Sequence, residues 1–421
     1  MNPSEKGWLR GFLEARKESF LHNIKEQVRG QNPDQSFYGL IQPTGIMYGY
    51  PVDTVEKEHQ ASWHNSDKVK VILLDTFINI AELYSEGGAD DYWQLMEDVM
   101  NSVNRFYNGV YPEIATSSTN WLGRKIDTFA LTEKILEKRI DIAFKKSSGN
   151  FWAEFFYHTQ LFLDVYIFSQ WSHTTQDQVL TDFFREEKVD LSYTSVKVMA
   201  AAAHANKKVE TEEQKLFQHF IENSAFPVEK RRVAQEYFIH GLGIQDIPVE
   251  PTDSWIIRKF FLELAILTIW SDKKVDDIEI EFLQGFNKSL GFSDDDFDHS
   301  MIAVEGFVLQ NWHQLDSLQD KKEFAEVSDE YVLRISRVVE KYRNRITKGI
   351  TEDIDLLTVI KSGVSAELND VEKEIIKDKL IALLKEIPSF RVIALPNDFL
   401  TFNILLRIIP KDIMKDVLQS T

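Results

Sequence analysis

Asp272–Glu279 reads DKKVDDIE, and the chain nearly repeats it as NKKVETEE at Asn206–Glu213 and more loosely as LNDVE at Leu368–Glu372. Each copy follows an apolar run and precedes another. Recurrence of this kind is the sequence signature of repeated helix–turn–helix units. The three copies therefore predict an architecture that is built from helices.

Apolar residues recur at three- and four-residue spacing over much of the chain, as they do on one face of an α-helix. The clearest segments lie at 68–84, 92–107, 126–144 and 151–171. None of them alternates with the two-residue period of a half-buried strand. We therefore predict an all-α fold, a multi-helix bundle that contains internal helix–turn–helix repeats.

The spacing of the repeats divides the 421-residue chain. Glu213 and Glu279 occupy the same place in their copies and are 66 residues apart, and Glu372 follows 93 residues later, after an inserted charged helix. This spacing predicts three parts. They are an N-terminal helical domain at 1–188, a helical repeat domain at 189–350 and a C-terminal helical segment at 351–421.

The chain is acidic, with a formal net charge of −19. An acidic surface repels nucleic-acid phosphates and anionic lipid headgroups, so we expect no DNA partner. There is no cysteine, which excludes disulfides, thiolate nucleophiles and cysteine-ligated metals. The first residues lack the apolar core of a signal peptide, and we expect a cytoplasmic protein.

The most apolar segment, 151–171, contains Glu154, His158 and Asp164. Because charged residues are costly in a bilayer, we interpret it as a buried, aromatic-rich helix rather than a membrane span. Glu154 and His158 share a helix face and could transfer a proton, although a buried, hydrogen-bonded histidine is the commoner case. The sequence has no phosphate-binding glycine loop, nucleophile elbow or His-Glu-x-x-His motif, and we expect no enzyme.

The repeated turns fit helix capping. Asp276 with Glu279, and Asn369 with Glu372, have the spacing of a capping box. In that motif the cap side chain accepts hydrogen bonds from amides of the first turn, and the acid three residues later reaches back to the cap amide. This interpretation explains the recurring residues without a ligand.

The alternative interpretation of the turns is a metal site. Asp272, Asp276, Asp277 and Glu279 provide enough oxygen atoms for Ca²⁺ or Mg²⁺. The segment is not an EF-hand, because it has no glycine at the turn and Leu283 occupies the position of the twelfth ligand. We therefore expect no cofactor, with a divalent cation at these four residues as the alternative.

A basic amphipathic helix is predicted at 330–350. Its cationic face is formed by Arg334, Arg337, Lys341, Arg345 and Lys348. One interpretation is a solvated stripe. The other is contact with an anionic surface, either a membrane or the RNA of a ribosome.

Residues 200–209, AAAAHANKKV, followed by Glu212 and Glu213, resemble the tellurite-resistance TerB-like helical domain. That family has an Ala-Asp-Gly-x-hydrophobic turn followed by Glu-Glu, and two such halves related by pseudo-symmetry form its domain. The 66-residue spacing allows the same arrangement here, although neither turn has the glycine and the first lacks the aspartate. The resemblance implies TerB-like repeats within 189–350.

The C-terminal segment is similar to part of the leucine-zipper and EF-hand containing transmembrane (Letm-type) proteins. Ile387-Pro388 and Leu395-Pro396 match the proline breaks of that segment, and Leu418–Thr421 approximates its Leu-Pro-Ser-Thr ending. Together, the TerB-like repeats and the Letm-like tail resemble the bacterial Letm-related biofilm-associated family. This resemblance implies a link to biofilm or surface-associated growth.

From these observations we expect a non-enzymatic interaction or scaffold protein, with a peripheral position at the cytoplasmic membrane as one option. The sequence does not identify the protein partner. The alternative function is divalent-cation binding or sensing through the acidic turns of the repeats.

Overall fold

The computed structural model describes residues 2–20, 32–49, 63–84, 91–144, 151–172, 178–206, 217–218, 221, 226–270, 275–312, 321–354, 356–357, 368–393, 395–396 and 398–409. In these ranges the regular structure consists of α-helices and short 3₁₀ turns, and the one isolated β-bridge joins Thr119 to Lys125. The predicted all-α class is confirmed.

The described ranges contain sixteen α-helices, ten in the first of two compact units and six in the second. Those of the first unit are α1 (Trp8–Phe20), α2 (Pro33–Ile41), α3 (Asn65–Tyr84), α4 (Tyr92–Val110), α5 (Thr128–Phe144), α6 (Phe151–Trp171), α7 (Gln178–Ala203), α8 (Val228–His240), α9 (Trp255–Ile269) and α10 (Asp277–Ser289). Those of the second unit are α11 (Asp294–Gln310), α12 (Lys321–Lys341), α13 (Arg343–Glu352), α14 (Asp370–Leu384), α15 (Pro388–Val392) and α16 (Phe402–Ile408). None of the helices in these ranges is both long and apolar enough to span a bilayer.

The two units separate after Leu290, since α10 packs against α7 and α9 whereas α11 packs against α12. The domain boundary predicted at 188 lies inside α7, which is continuous and packs against α4 and α6 as well as α8 and α9. The predicted N-terminal domain and the first repeat therefore share one helix. The boundary predicted at 350 likewise lies inside α13. The units do not follow the predicted limits, because tertiary packing joins segments that the repeat spacing separates.

An aromatic cluster joins α3, α4 and α6. Phe77, Phe106, Tyr107 and Phe168 are fully buried and meet edge to face or tilted, and the ring centroids of Phe77 and Phe168 are 4.7 Å apart. Each such aromatic pair contributes about 0.5–1.5 kcal/mol beyond the burial of its area. The helix α6 is thus a buried, aromatic-rich helix, as the sequence predicts.

Within this apolar cluster, α6 contributes the buried carboxylate of Asp164. Its Oδ1 accepts hydrogen bonds from the Tyr111 hydroxyl at 2.6 Å and Arg139 Nη2 at 3.0 Å. Its Oδ2 accepts from the Tyr107 hydroxyl at 3.0 Å and Arg139 Nε at 2.6 Å. Burial, and after it the charge of Asp164, raises the pKa of both tyrosines, so both hydroxyls remain donors. The carboxylate therefore fixes α4, α5 and the turn after α4 against α6.

A second buried carboxylate attaches α2, and the 3₁₀ turn at Ile46–Tyr48 that follows it, to α9. Glu263 is 1% exposed, and it accepts hydrogen bonds from the hydroxyls of Tyr38 at 2.7 Å and Tyr48 at 2.8 Å. The 3₁₀ turn at Ile46–Tyr48 is capped by Gly49, whose φ of +66° favours glycine. A Cβ there would lie 2.7 Å from the carbonyl oxygen of Phe155, so the backbone can approach α6 only without a side chain.

The basic helix predicted at 330–350 is in fact two helices. Tyr342 has φ −107° and ψ 20°, outside the helical region, and its amide bonds to the Val339 carbonyl. Consequently α12 ends at Lys341 and α13 begins at Arg343. The former packs against α11 and α16, and the latter against α14.

We expect Asp164→Asn to lower the free energy of unfolding by about 3–5 kcal/mol, because it leaves the buried guanidinium of Arg139 without its counter-charge. The measurement is urea denaturation of the full chain, followed by circular dichroism. Glu229→Gln is the matched control, since Glu229 pairs with Arg232 at the surface. Equal midpoints for the two variants would contradict a central role for the Asp164 cluster.

Candidate functional site

The predicted cationic face does not form one surface. Arg334 lies against α11, where its Nε donates to Glu305 at 3.1 Å and its Nη1 lies 3.5 Å from Asp298. Glu305 is buried, and burial raises the pKa of its carboxyl while Arg334 opposes that rise. Lys341 pairs with Asp295. Two of the five predicted cations are therefore engaged by acids of α11.

Arg345 and Lys348, by contrast, lie together in an open groove between α13 and α14. The groove has a volume of about 610 Å³. Glycine, alanine and leucine residues contribute apolar atoms to the lining, and the other lining residues carry charges of both signs. The lining consists of Arg345, Lys348, Gly349, Glu352, Asp353, Leu356, Lys379, Ala382, Leu383 and Glu386. We refer to this site as the α13–α14 groove.

Two polar contacts fix the walls of the α13–α14 groove. Lys379 Nζ donates to both carboxylate oxygens of Asp353, at 2.8 and 3.0 Å. Arg345 Nη1 donates to the Glu386 carbonyl oxygen at 3.1 Å. At Gly349 the helices come close, because a Cβ there would lie 2.2 Å from Leu383 Cδ1. These contacts set the spacing between the two helices.

Other charged groups of the groove face solvent. Lys348 and Glu352 form only a long ion pair of 3.7 Å, and their side chains are 72% and 67% exposed. Within the described part of the chain, Arg345 makes its hydrogen bond through Nη1 and keeps its other donors. Such groups can exchange water for the charged groups of a ligand at small desolvation cost. The site is therefore suited to binding, through cations and carboxylates that lie side by side.

Sequence reasoning identified only part of this groove. It named Arg345 and Lys348, but it grouped them with Arg337, which is exposed on α12. It did not name Lys379 of α14 or Glu386, two residues after α14 ends, and these two make the polar contacts. No local signal could supply them, because α13 and α14 are adjacent only through tertiary packing.

The predicted capping boxes are confirmed. Asp276 accepts a hydrogen bond from the Glu279 amide at 2.9 Å, and Glu279 Oε2 accepts from the Asp276 amide at 2.7 Å. Asn369 and Glu372 make the same pair of bonds, both at 2.9 Å. A further box, Ser293 with Asp296, begins α11; its Ser-x-x-Asp spacing was visible in the sequence but not predicted.

Two of the four predicted metal ligands, Asp276 and Glu279, make the first of these capping boxes. The Oε1 of Glu279 accepts from Asn206 Nδ2 at 2.8 Å, so both of its oxygens are already used, and the first two repeat turns are joined. Asp277 is exposed at the first position of α10, and Asp272 lies outside the described residues. The described residues include no group of three or more histidines and acids arranged to hold a metal. The cation site at these four acids remains a prediction.

His158 is sealed in the core of the first unit. It is 2% exposed, stacks on Phe144 with ring centroids 4.1 Å apart and donates from Nδ1 to the Gly49 carbonyl at 2.9 Å. Burial lowers its pKa to about 4, the positive charge of Arg139 adds to this, and the bond to Gly49 opposes it. The side chain of Glu154 lies outside the described part. His158 therefore serves here as a neutral core donor that holds the backbone at Gly49.

No protein-family model, curated protein or solved structure matches this chain. The likeness to the TerB-like and Letm-related families rests on the quoted residues and remains a prediction.

We expect Asp276→Ala to lower the free energy of unfolding by about 1 kcal/mol, the usual cost of losing an N-cap side chain. Asp277→Ala, one residue later, removes the same charge but no capping bond, and we expect a change within about 0.5 kcal/mol. Urea denaturation measures both.

The same two variants test the cation alternative. If the acidic turn bound Ca²⁺, added Ca²⁺ would stabilise the wild-type chain, and Asp277→Ala would lose that stabilisation. The capping interpretation expects the same midpoint with and without the ion.

We expect His158 to make the chain less stable at acidic pH. The unfolded histidine takes up a proton below its ordinary pKa of 6.5, whereas the folded one does so only near its pKa of about 4. Stability therefore falls as the pH decreases through this window, by about 2 kcal/mol between neutral pH and about pH 5. His158→Asn keeps a donor near Nδ1 and does not titrate, so urea denaturation at neutral pH and at about pH 5 should show a smaller loss. An equal loss in the variant would contradict this assignment.

Proposed function

We propose that this chain is a non-enzymatic interaction protein that binds a segment of a partner protein in the α13–α14 groove. The observation that carries the proposal is the open groove of about 610 Å³, whose apolar lining atoms are flanked by charges of both signs. Grooves between two helices accept peptide segments through apolar contacts, and charged groups beside them set the register.

The charges define the chemistry of the segment. Arg345 and Lys348 lie three residues apart on α13 and attract a carboxylate, while the Glu352 and Glu386 carboxylates attract a cation. A uniformly anionic ligand such as RNA would meet repulsion from these acids and from the net charge of −19. A polypeptide segment that has an apolar face and side chains of both charge signs beside it fits the groove better.

The predicted contact with an anionic membrane or a ribosome and the link to biofilm growth are kept only in part. Pairing of Arg334 and Lys341 with acids of α11 removes two cations from the predicted contact with an anionic membrane or a ribosome, so we place the partner in the groove instead. A link to biofilm or surface-associated growth follows from the family resemblance alone.

The test is site-specific cross-linking. A photoreactive amino acid at Ala382, an exposed position in the groove, is expected to cross-link the full-length protein to one partner segment in cells. A peptide of that segment is then titrated by calorimetry. We expect Arg345→Glu with Lys348→Glu to weaken its binding at least tenfold, about 1.4 kcal/mol.

Arg337→Glu is the matched control, because Arg337 is an exposed cation on α12 outside the groove lining. We expect it to bind the peptide as the wild-type chain does. A cross-linked segment whose affinity is the same in the double variant would refute the groove as its binding site.

A further inference from the structure

The turn between the Pro112–Ile114 3₁₀ helix and α5 exposes two large apolar side chains. Trp121 is 92% exposed and Leu122 is 55% exposed. Trp121 is the most exposed of the large hydrophobic residues that the structure describes. We refer to residues 117–126 as the Trp121 turn. Its apolar pair is contiguous, unlike a single exposed residue of the ordinary protein surface.

The backbone of the Trp121 turn is well fixed. Asn120 Oδ1 accepts hydrogen bonds from the amides of Leu122 and Arg124, both at 3.0 Å, and the Asn120 amide donates to the Arg124 carbonyl at 2.9 Å. The Gly123 amide donates to the Asn120 carbonyl at 2.9 Å, with Gly123 at φ +72°. The chain thus holds Trp121 in solvent on an ordered backbone. Because the backbone is already ordered, burying such a side chain in a binding surface costs little conformational entropy.

The charge of the turn is opposite to that of the whole protein. Residues 114–126 include Arg124 and Lys125, both exposed, and no acid, in a chain of net charge −19. The acids on either side are paired: Asp127 with Arg10 at 2.9 Å, and Glu113 with Lys188 at 2.7 Å. The turn is therefore a small cationic and apolar region on an acidic protein.

We propose that the Trp121 turn binds anionic lipid bilayers, with Trp121 and Leu122 in the interfacial layer and Arg124 and Lys125 at the lipid phosphates. Tryptophan prefers the headgroup region, and cations beside it gain from anionic lipid. Two side chains are too small a patch for a stable protein interface, which takes about 800 Å² from each partner. A bilayer needs no matching pocket. One turn of this size gives reversible, salt-sensitive binding.

This inference does not rest on the α13–α14 groove, which lies in the second unit. A chain that lost peptide binding but kept vesicle binding would separate the two proposals. A chain that kept peptide binding but lost vesicle binding would also separate them.

The experiment is flotation of the full-length protein with vesicles of phosphatidylcholine alone, or of an equimolar mixture with phosphatidylglycerol. We expect binding to the anionic vesicles at low salt and its loss at about 0.5 M salt. Trp121→Ala with Leu122→Ala should weaken binding at least tenfold. Arg124→Gln with Lys125→Gln should weaken it about 25-fold, roughly fivefold for each cation.

Two matched variants serve as controls. Phe183→Ala removes another exposed aromatic side chain of the first unit, and Lys17→Gln with Lys288→Gln makes the same change of charge elsewhere on it. Both should float as the wild-type chain does. Trp121→Phe should keep most of the vesicle binding. Brominated lipid should quench less tryptophan fluorescence in this variant than in the wild-type chain, because the contribution of Trp121 is lost.

Two outcomes would overturn the proposal. One is a wild-type chain that stays unbound to anionic vesicles at low salt. The other is a Trp121→Ala, Leu122→Ala variant that floats as well as the wild type, which would place the lipid contact elsewhere. Thermal unfolding at an unchanged midpoint establishes that each variant is folded.

Discussion

The buried carboxylate of Asp164 joins three helices of the first unit through four directional hydrogen bonds. A charge in the middle of an aromatic helix costs several kcal/mol unless hydrogen bonds and a counter-charge replace water. Arg139 comes from α5, Tyr107 from α4 and Tyr111 from the turn that follows it. Since none of these partners lies near Asp164 in sequence, the unit must bring three helices together to satisfy it. The rings of Phe106 on α4 and Phe168 on α6, two of the helices so joined, pack against each other.

Similar pairings hold two other buried acids of the described helices. Glu263 on α9 is satisfied by Tyr38 of α2 and Tyr48 of the turn that follows it, and Glu305 on α11 by Arg334 of α12. In each case the apolar surface supplies most of the stabilisation, but it is not directional. The hydrogen bonds are directional and select one arrangement among several with similar apolar burial.

The two proposed binding sites share a physical basis. On a chain of net charge −19, cations such as Arg334, Lys341 and Lys188 are paired with neighbouring acids. The α13–α14 groove and the Trp121 turn are places where cations keep free donors beside exposed apolar atoms. They lie in different units, so one chain could contact a protein segment and a lipid surface through separate residues.

Local sequence is sufficient to predict the features that depend on neighbours within a few residues. Helical periodicity predicted the all-α class, and the i, i+3 spacing predicted the capping boxes at Asp276 and Asn369, because both are local properties of a helix. Tertiary packing, by contrast, selects which acid each cation meets, carries α7 through the predicted boundary at 188 and leaves Trp121 in solvent. Burial and pairing depend on residues that are distant in the chain. A local sequence pattern therefore does not predict them.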